Sequence, residues 1–488
     1  MSLFVLGTAS HVGKSTIVAA ILRSIVSRGI PGAPFKSQNM SLNSFVTMNG
    51  KEIAMAQAVQ AAAALLPPHE DMNPVLLKPK GEKISQVILF GEPYKDLNIC
   101  DYYKETDVLL KKSVEAYYRL KLRYTNIIVE GAGGAAEMNL YKRDIANTLL
   151  LNELKIPAIL VADIERGGVF AQVYGTLKLL PPSLQGFVKG IIVNKFRGEQ
   201  DLFKTGISEL ERISGLPVLG VLPYQTLHIP SEDSLSIYDL KVGCEGGIRI
   251  AVINLPHISN FTDFELLLRS AHLEFVKPGM SLDSFDCIII PGTKNSIVAL
   301  QTIIDSGTAL EIYRARERGI PIIGICGGFQ ILGEKIIDSG VESKKGNYKG
   351  LGLLRVTTHF TGYQKTTVQV KRTAKPVPPW IDRIGDVTGY EIHMGSTDLT
   401  GDDEAFFGDG AVSQDGLVMG TYLHGLFQNK CAVQALLSFL HEKTGKEYIP
   451  LDSLDNDPYD DLKDLFEKNV NMDFILSFME GANHKTKL

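Results

Sequence analysis

"LFVLGTASHVGKSTIVAAILRSIVSRG", residues 3–29, holds a strand, a glycine-bounded loop and a helix in immediate succession. The apolar run LFVLG (3–7) predicts a buried strand, and the amphipathic pattern from Lys14 predicts a helix ending at Gly29. Between them lies GTASHVGKST (7–16). Backbone N–H groups of such a loop, opening onto a helix, cradle phosphates, and a lysine neutralises their charge. Gly7, Thr8, Gly13, Lys14, Ser15 and Thr16 are therefore candidate nucleotide-binding residues, with Ser15 suited to ligate Mg²⁺. Five residues rather than the usual four separate Gly7 from Gly13, but Gly–Lys–Ser at a strand–helix junction is a specific signal.

Outward from this unit the alternation continues. EIAMAQAVQAAAALL (52–66) predicts an Ala-rich helix stopped by Pro67-Pro68, and NIIVEGAGG (126–134), AILVADIERGG (158–168), FVKGIIVNKF (187–196) and GLPVLGVLPY (215–224) predict buried strands. Strands separated by helices imply a mainly parallel sheet covered on both faces. Periodicity is lost over 228–247, and a second series starts at IRIAVINLP (248–256), continuing in FDCIIIPGTKNS (285–296), IPIIGICGGFQ (320–330) and DGLVMGTYLHG (415–425). The expectation is an α/β chain with two such domains, 1–228 and 248–445, joined by a linker at 229–247. A C-terminal docking segment at 446–488 carries the amphipathic LKDLFEKNVNMDFILSFM.

A metal on a triphosphate needs a carboxylate from a neighbouring strand. Glu130 ends one predicted strand, with Asp144 and Asp163 as further acids, although an acid at a strand end is often only a cap. The NKF at 194–196 begins like a guanine-reading motif, but Arg197 stands where the acid would be, which favours ATP. Asn194 is a candidate for the adenine edge.

The second chemical signal is GICGGFQILG (324–333). A strand turning sharply into a helix lifts Cys326 out of the backbone, and the helix N-terminus stabilises a thiolate there. Gly327 leaves room for substrate and offers an N–H to an oxyanion, and Gly292 in PGTKNS (291–296) is a second such turn. A cysteine nucleophile needs a base: His424 in GTYLHGLF and His393 in GYEIHMG both follow predicted strands, and either could instead be structural. A thiolate, a base and an oxyanion hole split an amide to an acyl-enzyme and ammonia. With an ATP site on the same chain to activate a carboxylate, the pair predicts a glutamine-dependent amide-forming enzyme.

The rest of the chain narrows the field. Among 488 residues, 44% are hydrophobic and 22% charged, and the formal net charge of −5 argues against nucleic-acid binding. Five scattered cysteines without a CxxC spacing suggest neither disulfides nor structural zinc. The N-terminal stretch lacks the basic region of a signal peptide, and no run approaches the ~18 apolar residues of a membrane span. A cytoplasmic protein acting on small molecules is expected.

In order along the chain, PFKSQNMSLNSFVT (34–47), MNPVLLKP (72–79), SQVILFG (85–91), VEGAGGAAEMNL (129–140), DIERGGVFAQVYGTL (163–177), NKFRGE (194–199), LPHISNFTDFE (255–265), PGTKNS, GICGGFQILG, GYEIHMG and GTYLHGLF resemble the cobyric acid synthase family. The resemblance implies a dethiobiotin-synthetase-like, P-loop NTPase-like domain joined to a class I glutamine amidotransferase domain of the cobalamin-pathway type. It implies amidation of the b, d, e and g carboxylates of adenosylcobyrinic acid a,c-diamide, each step using one glutamine and one ATP. It makes Cys326 the nucleophile, His424 the base and Glu130 a Mg²⁺ contact. Three departures stand out, one of them GAGGAAEMNL (131–140), where the family often carries Ser-Pro in the turn. Leu426 occupies the place of the Glu that standard class I enzymes carry two residues after the histidine, so an orienting acid is absent or comes from elsewhere, and Glu165 replaces the usual Asp.

Two rivals remain at this level. Cobyrinic acid a,c-diamide synthase shares architecture and chemistry but fits poorly at 34–47. A P-loop switch ATPase with a non-catalytic second domain would carry a signature lysine at the position of Ala9.

Overall fold

The computed structural model describes residues 2–80, 84–225, 246–362, 365–451 and 457–478. They fall into two compact units: Met1–Ser41, Lys51–Pro230 and Asn456–Leu488 in the first, Leu42–Gly50 and Ser231–Asp455 in the second. The expected linker at 229–247 lies outside the described residues except for its last two. The division follows a different line from the sequence reading at two places. Residues 42–50 belong with the second unit, and residues 457–478 belong with the first.

The first unit is built on six strands: β1 (Ser2–Gly7), β2 (Gly32–Phe35), β3 (Asn126–Glu130), β4 (Ala158–Asp163), β5 (Val188–Phe196) and β6 (Val218–Pro223). Their order is β6-β5-β4-β1-β3-β2, with every pair parallel. Successive side chains of β1 point to opposite faces. Phe4 and Leu6 join a core with Ala116, Leu120, Leu150 and Val173, while Leu3 and Val5 join another with Ile17, Val18 and Ile21. A parallel sheet buried on both sides reads as continuous apolar runs, which is why these strands were visible in sequence. The chain leaves β1 toward one edge and later returns to its other side. The loop after β1 therefore opens at the carboxyl end of the sheet, where the strand order reverses and ligands bind in such folds.

The helix α1 (Lys14–Ser27) follows that loop. The Ala-rich helix is shorter than expected, Met55–Ala63, because Glu52–Ala54 is extended. Helix Pro458–Asn469 packs on α1: Leu462, Phe466 and Val470 share the core of Val18, Ile21 and Leu22, and Asp460 accepts from Arg23 at 2.9 Å beside Asp457. Its C-terminal end also covers edge strand β6, where Asn471 N–H donates to Leu219 O at 2.7 Å. Covering an edge removes a template for unwanted strand pairing.

The second unit has its own six-stranded sheet of β7 (Arg249–Ile253), β8 (His272–Val276), β9 (Cys287–Ile290), β10 (Ile322–Ile325), β11 (Ala411–Val412) and β12 (Val418–Thr421). The order is β8-β7-β9-β10-β12-β11; all neighbours are parallel except β11, which is antiparallel to β12. Beside it, Lys365–Thr373, Asp386–Met394 and Leu423–His424 form an antiparallel sheet that sets Tyr390 opposite both Gln369 and His424. Both units thus carry the mainly parallel, helix-flanked sheets anticipated. Among the described residues, no helix is long and apolar enough to cross a membrane.

Candidate active sites

Cys326 sits between β10 and helix α2 (Gly327–Leu332), with φ 52° and ψ −107°. A positive φ costs a non-glycine residue free energy, and such strain gathers at functional turns. The turn is held in place: Cys326 N–H donates to Thr421 O of β12 at 2.8 Å. Its glycines are sterically required. A methyl group at position 328 would lie 1.9 Å from the Ile290 carbonyl oxygen, and one at 324 would lie 2.7 Å from Gly328. Gly327 opens the helix, so its N–H has no partner within the helix. A side chain on Gly327 would meet Thr293 at 2.7 Å, and one on Gly292 would meet His424 Cε1 at 3.0 Å. The two glycine turns expected to frame an oxyanion therefore flank the thiol and the histidine.

His424 is 1% exposed. Its Nδ1 bonds Asp263 Oδ2 at 2.7 Å, and the other oxygen of Asp263 accepts from Gly425 N–H at 2.8 Å. Burial alone would lower the imidazole. The Asp263 carboxylate and the Cys326 thiol, within hydrogen-bonding reach, outweigh that and hold it up at about 10. Asp263 lies on a short 3₁₀ helix, Phe261–Phe264, after β7. This is an acid from elsewhere, in a chain whose position 426 is a fully buried leucine.

His393 lies nearby in a different setting. It stacks on Tyr422 with ring centroids 3.7 Å apart, its Nδ1 is 3.1 Å from Gly395 O, and its Nε2 is 3.8 Å from Glu391. The neighbouring carbonyl of Ile392, not the imidazole, is the group 3.5 Å from Cys326 Sγ.

In the first unit, Lys14 curls over its own loop, donating to Ala9 O at 3.0 Å and Gly133 O at 2.8 Å. A methyl group at Gly7 would lie 2.8 Å from Lys14 Nζ and 2.9 Å from Val12 Cγ2, so it would push the lysine from its present place. Thr8 donates to Gln172, and Thr16 is exposed in the first turn of α1. Ser15 Oγ donates to Glu130 Oε1 at 2.8 Å, joining loop to β3. Lys36 Nζ reaches the same oxygen at 2.8 Å, and Gln60 donates to the other. A hydroxyl beside a carboxylate is the hard-oxygen donor pair that Mg²⁺ uses when phosphates complete its shell, so the residues fit that ion.

The remaining candidates have other partners. Asp163 pairs with Lys195 at 3.0 Å and accepts from Glu165 N–H, and Asp144 accepts from Ala146 and Asn147 N–H groups at 3.0 and 2.9 Å. Asn194 donates to Val12 O at 2.9 Å, bracing the phosphate loop, and Gly13 lies directly against it. Sequence reasoning missed Asp263, Lys36 and Gln60. Asp263 had one signal, the stretch LPHISNFTDFE, which had no chemistry attached to it.

Comparison with known proteins matches residues 3–235 to a CobQ/CobB/MinD/ParA nucleotide binding domain and residues 249–432 to a CobB/CobQ-like glutamine amidotransferase domain. The chain is similar to a probable cobyric acid synthase of Methanosphaerula palustris, 59% identical over 486 residues and 100% of both chains. Similar proteins of the same description occur in Methanoregula boonei, at 60% identity over 98% of this chain and 100% of the relative, and Methanoculleus marisnigri, at 56% over 98% and 99%.

Proposed function

This chain belongs to the cobyric acid synthase family, and from that membership we propose a division of chemistry between its two sites. Cys326, His424 and Asp263 release ammonia from glutamine, and the phosphate loop with Lys14 activates the carboxylate that ammonia attacks. The observation that carries this reading is the buried Asp263–His424 pair beside the strained Cys326 turn, on the same chain as the loop.

At the glutaminase site His424 Nδ1–H is donated to Asp263, and Nε2 holds the proton of the Cys326 thiol, so the pair stands as imidazolium and thiolate. The sulfur attacks the glutamine side-chain carbonyl carbon, and the oxygen that gains charge is met by N–H groups of the Gly292 and Gly327 turns. The imidazolium then protonates the departing nitrogen, the C–N bond breaks, and ammonia leaves a thioester. Water, deprotonated by His424, hydrolyses the thioester to glutamate. His393 holds Tyr422 and takes no proton in this scheme.

At the synthetase site Lys14 and loop N–H groups hold the triphosphate of ATP. The substrate carboxylate displaces ADP from the γ-phosphorus, and ammonia displaces phosphate from the acyl phosphate to leave an amide. Ser15 and Glu130 would hold Mg²⁺, which supplies charge neutralisation on the phosphates when bound. Lys36 pairs with Glu130 and orients it. The substrate we assign is adenosylcobyrinic acid a,c-diamide, amidated at b, d, e and g. A free catalytic thiol calls for a reducing compartment, so we assign the reaction to the cytoplasm.

Mass spectrometry of that corrinoid after incubation with enzyme, Mg-ATP and glutamine tests the reading. One synthetase site must serve every carboxylate, so partly amidated species should appear in sequence when substrate is in excess. Unchanged corrinoid with glutamate still released would refute the substrate assignment.

A further inference from the structure

Residues 42–50 interrupt the first unit. The strands before and after them, Gln38–Met40 and Glu52–Ala54, belong to that unit, while the stretch itself belongs to the second. It is not a loose loop there: Asn43, Ser44, Val46 and Thr47 are all at most 2% exposed. Its contacts fall on the two supports of His424.

The first support is the 3₁₀ helix carrying Asp263. Asn43 Oδ1 accepts from Phe261 N–H at 3.1 Å, and Ser44 N–H donates to Asn260 Oδ1 at 2.8 Å. Asn260 is the residue before that helix and has φ 53°, a left-handed conformation that asparagine adopts more readily than most residues. Both bonds therefore fix the first turn on which Asp263 rides, two residues beyond Phe261.

The second support is Tyr390. Phe45 packs on its ring at 5.2 Å between centroids, and Tyr390 is in turn stacked on the His424 imidazole at 5.6 Å with planes 20° apart. Gln369, the strand partner of Tyr390, donates to Val46 O. Starting from Asn43, the contacts run through Phe261 to Asp263, to His424, to Tyr390 and back to Phe45. The ring closes within four residues of one short segment.

We propose that Asn43–Val46 are positioning residues for the glutaminase reaction, fixing the Asp263 carboxylate on one side of His424 and the Tyr390 ring on the other. The proposal rests on the assignment of His424 as the base. It makes a stretch of the synthetase sequence a structural part of the ammonia-producing site. Partners one step removed from a reacting group orient it, and losing one typically costs about 10–100-fold.

The experiment uses the full chain with Phe45→Ala, Phe45→Tyr and Asn43→Ala, reading glutamine hydrolysis and ammonia-dependent amidation side by side. Phe45→Ala and Asn43→Ala should lower kcat for glutamine hydrolysis by about 10–100-fold with KM within about twofold, because both act through the supports of His424, Tyr390 and the turn that carries Asp263. Phe45→Tyr, which keeps the ring, should restore kcat, and ammonia-dependent amidation should be unchanged in all three. Two results overturn the proposal: kcat for glutamine unaffected in both alanine variants, or glutamine- and ammonia-dependent rates falling together. Cys326→Ala run alongside tests the underlying assignment separately, since glutamine hydrolysis surviving in it would remove the glutaminase site itself.

Discussion

Replacing Asp263 by asparagine isolates what that carboxylate does for His424. Asparagine has the same shape, and its oxygen still accepts from Gly425 N–H, so the bond now made at 2.8 Å survives. Its NH₂ faces Nδ1, where the carboxylate had accepted, which leaves the proton on Nε2. The imidazole then cannot take the thiol proton. It also loses the charge that holds it at about 10 against burial. Without Asp263, burial pulls the imidazole down with only Cys326 left to oppose it, so the preference for the imidazolium weakens. General acid–base catalysis is worth about 10²–10⁴-fold, and we expect glutaminase kcat/KM to fall within that range. The sign follows from a raised pKa: the imidazolium persists through neutral pH and is lost as pH climbs through about 10 in the native protein. Its contribution to stability, complete below about 6.5, is given up over the same window. In the variant the alkaline limb of the rate profile should move toward neutrality. Glutamate release measured across pH, with ammonia-dependent amidation as the internal standard, checks this. A variant within about tenfold of the parent, with the same alkaline limb, would refute the role given to Asp263.

Cys326→Ala should abolish amidation from glutamine while leaving amidation from ammonium salts, followed by product analysis with each nitrogen source. Lys14→Ala should remove amidation from both sources, by roughly 10²–10³-fold or more, while glutamate release continues; retained amide formation would exclude Lys14 from phosphoryl transfer. His393→Ala should retain much more glutaminase activity than His424→Ala, since it stacks on Tyr422 and does not bond Asp263. Phe466→Ala should cost the first unit about 3–5 kcal/mol in denaturant unfolding, the usual price of a large buried truncation, and leave the transition of the second unit in place.

The parts legible in sequence were those that physics writes locally. The strands showed because buried parallel strands are apolar throughout, Gly324 and Gly328 because backbone passes too close there for any side chain, and Gly13 because its φ is 96°. Cys326 and Lys14 announced themselves through those turns. Asp263 did not, since it lies 161 residues from His424 and only folding joins them. Leu426 told only that an orienting acid, if present, comes from elsewhere: the leucine is buried, and Asp263 takes His424 Nδ1 and Gly425 N–H. Asp144 and Asp163 have the right residue type at strand ends but spend their oxygens on turn N–H groups and Lys195. Glu130 differs in pointing at Ser15 and Lys36. No pattern of spacing separates those cases. The exchange of 42–50 between units was also invisible, because its residues obey no period and their partners are distant.

The helix Pro458–Asn469 has a consequence for how the chain is made. On a ribosome the sheet strands of the first unit are complete once Pro223 emerges, yet Leu462, Phe466 and Val470, which cover α1 and edge strand β6, come last. At synthesis rates of about 5–20 residues per second, the roughly 250 residues in between take on the order of 13–50 s. Throughout that interval the apolar face of α1 and the open edge of β6 have no native cover. The second unit, whose own sheet lies wholly within the intervening stretch, can finish first. A nascent chain stalled before residue 457 should therefore bind holdase chaperones through its first unit, and release them when Phe466 arrives.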